Sequence, residues 1–290
     1  MCLLVTYNPS SITRLAVLGS GTPNPDPRRG GPALLLLVEG VPYLFDFGPG
    51  VVRQAAALSG RWGGELEDFE VKDVSTAFLT HLHADHTMGL PDVILTPWIM
   101  GRDTPLRLYG PRGTADMVNG ILQAYRADIN YRLEGLEPAN PDGWQVEVHE
   151  FLGGQIFRDQ RICVEAFPVE HGVMPHCCGY RVTTPDRTVV FSGDSRPCPA
   201  LLENSRDADY LVHEVYASAG LAGRSRRWQE YHRAHHTSGQ QVAALAREVN
   251  PRLLILVHSL TWDVSGEELL GEVRAGYRGE VVLADDLQTF

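Results

Sequence analysis

The segment His81-Leu82-His83-Ala84-Asp85-His86 decides the fold, because four metal-binding side chains lie within six residues. With 11 histidines in 290 residues, chance produces this pattern in about one chain in a thousand. A β-favouring run, residues 74–79, leads into it, so we expect His81 and His83 to point to the same side at a strand end. Asp85 and His86 lie past the turn, so we expect them to face a second metal position a short distance from the first. The segment predicts two metal ions, with imidazole and carboxylate ligands that suit zinc, and manganese or iron as substitutes.

Two metal ions need more than four ligands, and three further polar residues stand directly after apolar runs. They are His171 in PVEHG, Asp194 in VVFSGDS and His258 in LLILVHS. A buried sheet delivers side chains at its strand ends to a shared cleft, so we expect these three to complete the ligand set. His176 competes with His171 but lies farther from its strand. His149 and His232 are interpreted as structural histidines.

Apolar runs elsewhere predict an α/β fold of two mixed sheets packed face to face, with helices outside. The expected strands are 14–18, 33–38, 41–45, 74–79, 106–109, 146–148, 162–167, 180–182, 188–191, 209–212, 253–257 and 281–283. The expected helices are 89–100, 115–125, 238–249 and 266–273, the third opened by a capping box of Ser238 and Gln241. We expect a single domain, 1–290, with two pseudo-symmetric halves, about 13–160 and 161–285.

Composition and charge exclude several classes of protein. The longest apolar run, residues 33–38, is far too short to span a bilayer, and residues 1–14 lack the features of a secretory signal. These two features predict a cytoplasmic protein with no membrane partner. The five cysteines, an odd number without framework spacing, indicate reduced thiols. The net charge is 25 − 36 = −11, which disfavours nucleic acid as a partner.

The order of these motifs resembles that of the metallo-β-lactamase superfamily, whose signature H-x-H-x-D-H is followed by separate His, Asp and His ligands. The segments LGSGTPNPDPRRGG, PYLFDFGPG, FLTHLHADHTMGLPD, VVFSGDS, LVHEVY and HHTSGQQVAALAREV resemble its ribonuclease Z and arylsulfatase-like branch. Within that branch, LTPW, PLRLYGPRGT and AYRADINYR look closer to the arylsulfatase-like group.

The resemblance implies an αββα sandwich with a dinuclear zinc centre. By this resemblance, His81, His83 and His171 hold one ion, Asp85, His86 and His258 hold the other, and Asp194 bridges both. It also implies a proton-donating pair, His236 in HHTSG and Glu214 in HEVY, with Asp85 in the catalytic set. A shift of one residue would put His235 in place of His236. Relatives in this branch commonly form homodimers, so we expect one here.

One departure from tRNA-processing ribonuclease Z directs the functional prediction. That enzyme has a basic substrate arm between the third-motif His and the bridging Asp, whereas His171 and Asp194 are 23 positions apart. We therefore expect no tRNA partner, and instead hydrolysis of small phosphodiesters, aryl sulfates or phosphotriesters by a zinc-bound hydroxide. Arg28 would bind the anionic substrate. The alternatives are a lactone or thioester hydrolase and, outside hydrolysis, a di-iron redox or metal-binding module.

Overall fold

A computed structural model describes residues 12–290, and Cys2 lies outside the described residues. The described chain divides into two compact units. Unit 1 comprises residues 12–19, 25–151 and 286–290, and unit 2 comprises residues 20–24 and 152–285. Whether the two units act as the single domain expected from the sequence stays a prediction.

Unit 1 contains one six-stranded mixed sheet with strands in sequence order. The strands are β1 (Thr13–Gly19), β2 (Ala33–Val38), β3 (Val41–Phe45), β4 (Thr76–Phe78), β5 (Leu106–Pro111) and β6 (Val146–Phe151). The helices are α1 (Val51–Leu58), α2 (Ala84–Thr87), α3 (Leu90–Ile99), α4 (Thr114–Ala124) and α5 (Arg126–Glu134). Strands β1 to β3 are antiparallel neighbours, and β3 to β6 are parallel ones.

A buried arginine organises the loops of unit 1. Arg102 is only 3% exposed, and its guanidinium donates five hydrogen bonds to the carbonyl oxygens of Val74, Val93, Ile94 and Gly143. Burial lowers the pKa of Arg102 to about 10. The five bonds replace the water that the guanidinium loses, so the residue ties α3 to the loops before β4 and β6.

Unit 2 contains a seven-stranded mixed sheet, in the order β13-β12-β11-β10-β9-β8-β7. The strands are β7 (Gly154–Arg158), β8 (Cys163–Pro168), β9 (Cys178–Thr183), β10 (Thr188–Phe191), β11 (Tyr210–Tyr216), β12 (Leu253–Leu260) and β13 (Val281–Leu283). The helices are α6 (Pro199–Asn204), α7 (Ser218–Ala222), α8 (Arg226–His235), α9 (Gly239–Val249) and α10 (Gly266–Gly276). Strands β7 to β10 are antiparallel neighbours, and β10 to β13 are parallel ones.

These elements confirm the α/β class and the two mixed sheets with helices. The capping box of Ser238 and Gln241 opens α9 as expected. Four cysteines, Cys163, Cys177, Cys178 and Cys198, are free thiols. Among residues 12–290, no helix combines the length and apolar character that a bilayer crossing requires.

Candidate metal centre

The predicted ligands of unit 1 follow the end of β4. His81 stands three residues after Phe78, the last residue of β4, and His83, Asp85 and His86 follow across the turn into α2. The Nε2 atom of His81 lies 3.0 Å from the Nδ1 atom of His83. The Nε2 atom of His86 lies 3.5 Å from a carboxylate oxygen of Asp85. Unit 1 therefore brings together all four residues of the hexapeptide that were predicted to be ligands.

Asp46 supports this cluster, although no motif in the sequence predicted a role for it. It stands directly after β3 with a positive φ of 58°. Its carboxylate accepts hydrogen bonds from the backbone N–H and the hydroxyl of Thr80, and it lies 2.8 Å from Nδ1 of His86. A carboxylate on one ring nitrogen fixes the tautomer and leaves the other nitrogen to bind a metal. The sequence signal that could have revealed Asp46 is its position as a polar residue directly after the apolar strand β3.

Unit 2 presents its predicted ligands at strand ends as well. His171 stands three residues after the end of β8, and Asp194 stands three residues after the end of β10. His258 lies in β12 at a bulge, because Glu214 pairs with Val257 whereas Val215 pairs with Ser259. Its φ of 44° is a conformation that costs energy in a non-glycine residue. Bulges re-aim side chains, so this one accounts for how a residue inside a strand enters the cluster.

The side chains of unit 2 form a buried cluster of donor atoms. One ligand atom of each of His171, Asp194 and His236 lies within 4.8 Å of the other two, and the same holds for Glu214, His236 and His258. The Nε2 atom of His258 lies 3.4 Å from a carboxylate oxygen of Asp194. The Nδ1 atom of His171 lies 2.8 Å from the carbonyl oxygen of His235, which leaves Nε2 as its ligand atom.

His236, rather than His235, lies beside Glu214. The Nδ1 atom of His236 is 3.5 Å from a carboxylate oxygen of Glu214 and 4.0 Å from one of Asp194. The other oxygen of Glu214 accepts a hydrogen bond from the backbone N–H of Thr237. His235 instead stacks on the ring of Tyr231. His236 is buried at the residue that follows the last turn of α8.

Burial shapes the charge state of the groups behind the cluster. Desolvation, reinforced by the neighbouring Asp194 carboxylate, raises the pKa of Glu214 well above its ordinary value. His213, fully buried in β11 beside Glu214, has its pKa lowered to about 4 by desolvation. No motif predicted a role for His213, whose only signal in the sequence was its place next to Glu214 in LVHEVY. A cation in the cluster would favour the ionised carboxylates.

Four other residues named from the sequence, one arginine and three histidines, lie outside these clusters. Arg28 is exposed and pairs with Asp26. His149 stacks on Tyr109 in unit 1. His176 is exposed in the loop after His171. His232 is buried in α8, where its ring stacks on that of Trp228.

The donors fit divalent metal ions. Two imidazole nitrogens bound to one tetrahedral zinc are about 3.3 Å apart, and the His81 and His83 nitrogens are separated by 3.0 Å. The nitrogen and carboxylate donors are ligands that zinc accepts. In addition, Nδ1 of His86 and Nδ1 of His171 each face an oxygen acceptor, as the second ring nitrogen of a zinc-bound histidine usually does. Each unit therefore carries a set of residues suited to a metal.

Comparison with known proteins gives the family. A family model described as "Beta-lactamase superfamily domain" matches residues 42–259. The ribonuclease Z of Mycobacterium marinum is 31% identical over 278 residues, which cover 94% of this chain and 96% of that protein.

Two solved structures share the fold. The metallo-β-lactamase fold protein YhfI from Bacillus subtilis matches with a TM-score of 0.72 and 18% identity, covering 97% of this chain and 100% of that one. Human tRNase Z, short form, matches with a TM-score of 0.70 and 22% identity, covering 96% and 98% of the two chains.

These relatives correct two predictions. The expected hydrolase of small phosphorus and sulfur esters, and the expected absence of a tRNA partner, are both wrong, because curated relatives along nearly the whole chain are named ribonuclease Z. Neither a lactone or thioester hydrolase nor a di-iron redox or metal-binding module fits relatives of that name. The relatives also do not support a place in the arylsulfatase-like group.

Neither the net charge nor the short interval between His171 and Asp194 excludes tRNA as a partner. A net charge of −11 averages over the chain, whereas phosphates are bound by local groups of arginine and lysine. The short interval between His171 and Asp194 did not exclude ribonuclease Z either, since proteins with that name align with 94% of this chain. Both superfamily membership and the donor clusters indicate a metal-dependent hydrolase. The chain belongs to the metallo-β-lactamase superfamily, within its ribonuclease Z branch.

Proposed function

We propose that this protein is a metal-dependent ribonuclease that hydrolyses a phosphodiester bond of precursor tRNA. The observation that carries the proposal is the 31% identity to a ribonuclease Z across 94% of this chain and 96% of the other. The human neighbour named tRNase Z supports tRNA as the class of RNA.

We propose further that the seven residues predicted from the sequence bind two zinc ions, with Mn²⁺ or Fe as substitutes. The proposed ligands are His81, His83, Asp85 and His86 of unit 1, and His171, Asp194 and His258 of unit 2. When bound, the ions supply Lewis acidity and an activated water at neutral pH.

The chain's own residues would handle the proton of the leaving oxygen. His236 faces Glu214 through Nδ1, so its Nε2 would donate a proton to the ribose oxygen that leaves. Glu214, held by the N–H of Thr237, orients the imidazole. Positioned acid catalysis of this type contributes about 10² to 10⁴ in rate. Homodimer formation, a cytoplasmic location and anion binding by Arg28 stay predictions.

The decisive assay compares substrate classes. Metal-replete protein is mixed with end-labelled precursor tRNA, and kcat/KM is compared with that for bis(4-nitrophenyl) phosphate. We expect one main cut in the RNA, with kcat/KM at least 100-fold above the value for the small diester. Asp194→Asn should abolish the cut, whereas Asp263→Asn, at an exposed aspartate of the same unit, should retain it. Turnover of the small diester without cleavage of RNA would overturn the proposal.

A further inference from the structure

Helix α8 and the turn before it carry an exposed group of basic and aromatic side chains that the proposed chemistry does not use. The group, here called the α8 arginine surface, consists of Arg224, Arg227, Trp228, Tyr231 and Arg233. All five are exposed, with Trp228 at 51% and Tyr231 at 38%. Exposed large aromatic rings beside cations are unusual on a surface that only faces water.

The charge of this segment opposes the charge of the whole chain. Residues 224–236 contain four arginines and one glutamate, which gives 4 − 1 = +3, against −11 for the protein. Arg226 pairs with Glu230 at 2.8 Å. Within residues 12–290, no carboxylate lies within ion-pairing distance of Arg224, Arg227 or Arg233. The Arg233 guanidinium donates one hydrogen bond to the side chain of Gln229. All three guanidinium groups are exposed, so phosphates can reach them.

Each of the two aromatic rings stacks on a histidine ring of the same helix. Trp228 stacks on His232 with an interplanar angle of 24°, and Tyr231 stacks on His235 with an angle of 23°. Each ring thus has one supported face, while the exposed part of the ring remains accessible. Rings fixed in this way lose little side-chain entropy when a nucleobase stacks on them.

The surface leads directly to the residues proposed for catalysis. Helix α8 ends at His235, and the N–H of His236 donates to the carbonyl oxygen of His232. Trp228 precedes His236 by eight residues, about 12 Å along a helix axis. A chain bound along α8 would therefore reach His236 within a few nucleotides.

We propose that the α8 arginine surface binds the single-stranded RNA next to the scissile phosphate, with arginines on phosphates and Trp228 and Tyr231 under bases. The inference rests on the proposed function, because it assumes that the substrate is RNA. Charge complementarity and ring stacking favour RNA over an acidic protein, which offers no flat bases to the two rings.

The test measures RNA binding by two double variants with the same charge change. Arg224→Glu with Arg227→Glu alters the surface. The control, Arg252→Glu with Arg278→Glu, alters two exposed arginines that lie just before β12 and shortly before β13. His258 lies near the other end of β12. The Kd for a fluorescent single-stranded oligoribonucleotide and for precursor tRNA is measured by anisotropy between 50 and 300 mM salt. Metal content and the unfolding midpoint verify that both proteins are folded.

We expect the surface variant to raise Kd at least tenfold, and to reduce the slope of log K against log salt by about 1.4, for two lost phosphate contacts. The control variant should change Kd less than threefold. Trp228→Ala should raise Kd about tenfold, and Trp228→Phe should restore most of the binding, because a ring is retained.

Each outcome separates this inference from the proposed function. Equal RNA affinity of the surface variant and the control overturns the inference, even if the protein cleaves RNA. Selective loss of RNA binding by the surface variant supports it, even if the bound RNA is not cut, in which case the proposed function fails. Binding of an acidic peptide, with no binding of RNA, overturns the inference as well.

Discussion

The Nδ1 atom of His171 lies 2.8 Å from the backbone carbonyl oxygen of His235, the last residue of α8. Through this contact, the helix that carries the basic surface also fixes the tautomer and direction of a proposed metal ligand. The backbone N–H of Gly172 donates to the carbonyl oxygen of Ala234, so two successive residues are tied to the end of α8. Small displacements of this helix end should therefore change the metal affinity.

Gly172→Ala tests that connection. Gly172 has a φ of +59°, and a Cβ atom added there would lie 1.9 Å from Nε2 of His235. The clash must displace His235 or the loop that carries His171. We expect the affinity for Zn²⁺, measured by competition with a chromophoric chelator, to fall about 10- to 100-fold.

Gly154→Ala is the matched control. Gly154 has a φ of +83° in unit 2, and a Cβ atom there meets nothing within 4 Å. This variant should lose about 1 kcal/mol of unfolding free energy from backbone strain, with unchanged Zn²⁺ affinity. If both variants bind Zn²⁺ equally well, the contact between His171 and the end of α8 has no role in metal binding.

Asp46→Asn tests the support behind His86. The variant keeps the shape of the side chain but removes the charge that faces Nδ1 of His86 at 2.8 Å. We expect Zn²⁺ affinity to fall about 10-fold or more, since outer contacts of metal ligands typically have effects of that size. Asp73→Asn, at an exposed aspartate of the same unit, serves as the control. Unchanged affinity in Asp46→Asn would exclude Asp46 from the metal centre.

Much of the fold followed from local sequence. Residues 33–38 and 253–257 are continuous apolar runs, and both are strands as predicted. Helix α8 was missed because its sequence, RRWQEYHRAH, has almost no apolar face, and only His232 is buried in it. Strand β7 was missed for the same reason, since GQIFR offers only a short apolar signal.

The candidate residues show a similar limit. His81, His171 and Asp194 were recognisable because each closely follows an apolar run, and each stands three residues beyond a strand. Asp46 was less visible, because its role depends on a hydrogen bond to Thr80, 34 residues away. The bulge at His258 depends on pairing between β11 and β12, which residue order alone does not reveal.

His236→Ala tests the role of the proton donor. A ribose oxygen is a poor leaving group that needs a proton, whereas a nitrophenolate leaves without one. We therefore expect the rate of RNA cleavage, measured under single-turnover conditions, to fall about 10² to 10⁴-fold. Hydrolysis of bis(4-nitrophenyl) phosphate should fall far less. Equal losses on the two substrates would contradict the role of His236 as an acid.

Arg102→Met tests a purely structural role. The substitution leaves four buried carbonyl oxygens without the donors that now satisfy them. We expect a loss of about 3 kcal/mol of unfolding free energy, measured by denaturant titration. Arg53→Met, at an exposed position of α1, should change it by less than about 0.5 kcal/mol. If Arg102→Met unfolds at the same denaturant midpoint as the wild type, the five hydrogen bonds make no net contribution to the unfolding free energy.

The central claim is that a metal centre in this protein cleaves RNA, and the most direct measurement titrates that activity with metal. Protein stripped with a chelator is dialysed, and cleavage of precursor tRNA is followed as Zn²⁺ or Mn²⁺ is added back. We expect no cleavage by the stripped protein and full recovery at about two ions per chain, with no recovery for Asp194→Asn. Cleavage by the metal-free protein at the original rate, or no cleavage by protein holding two ions, would contradict it.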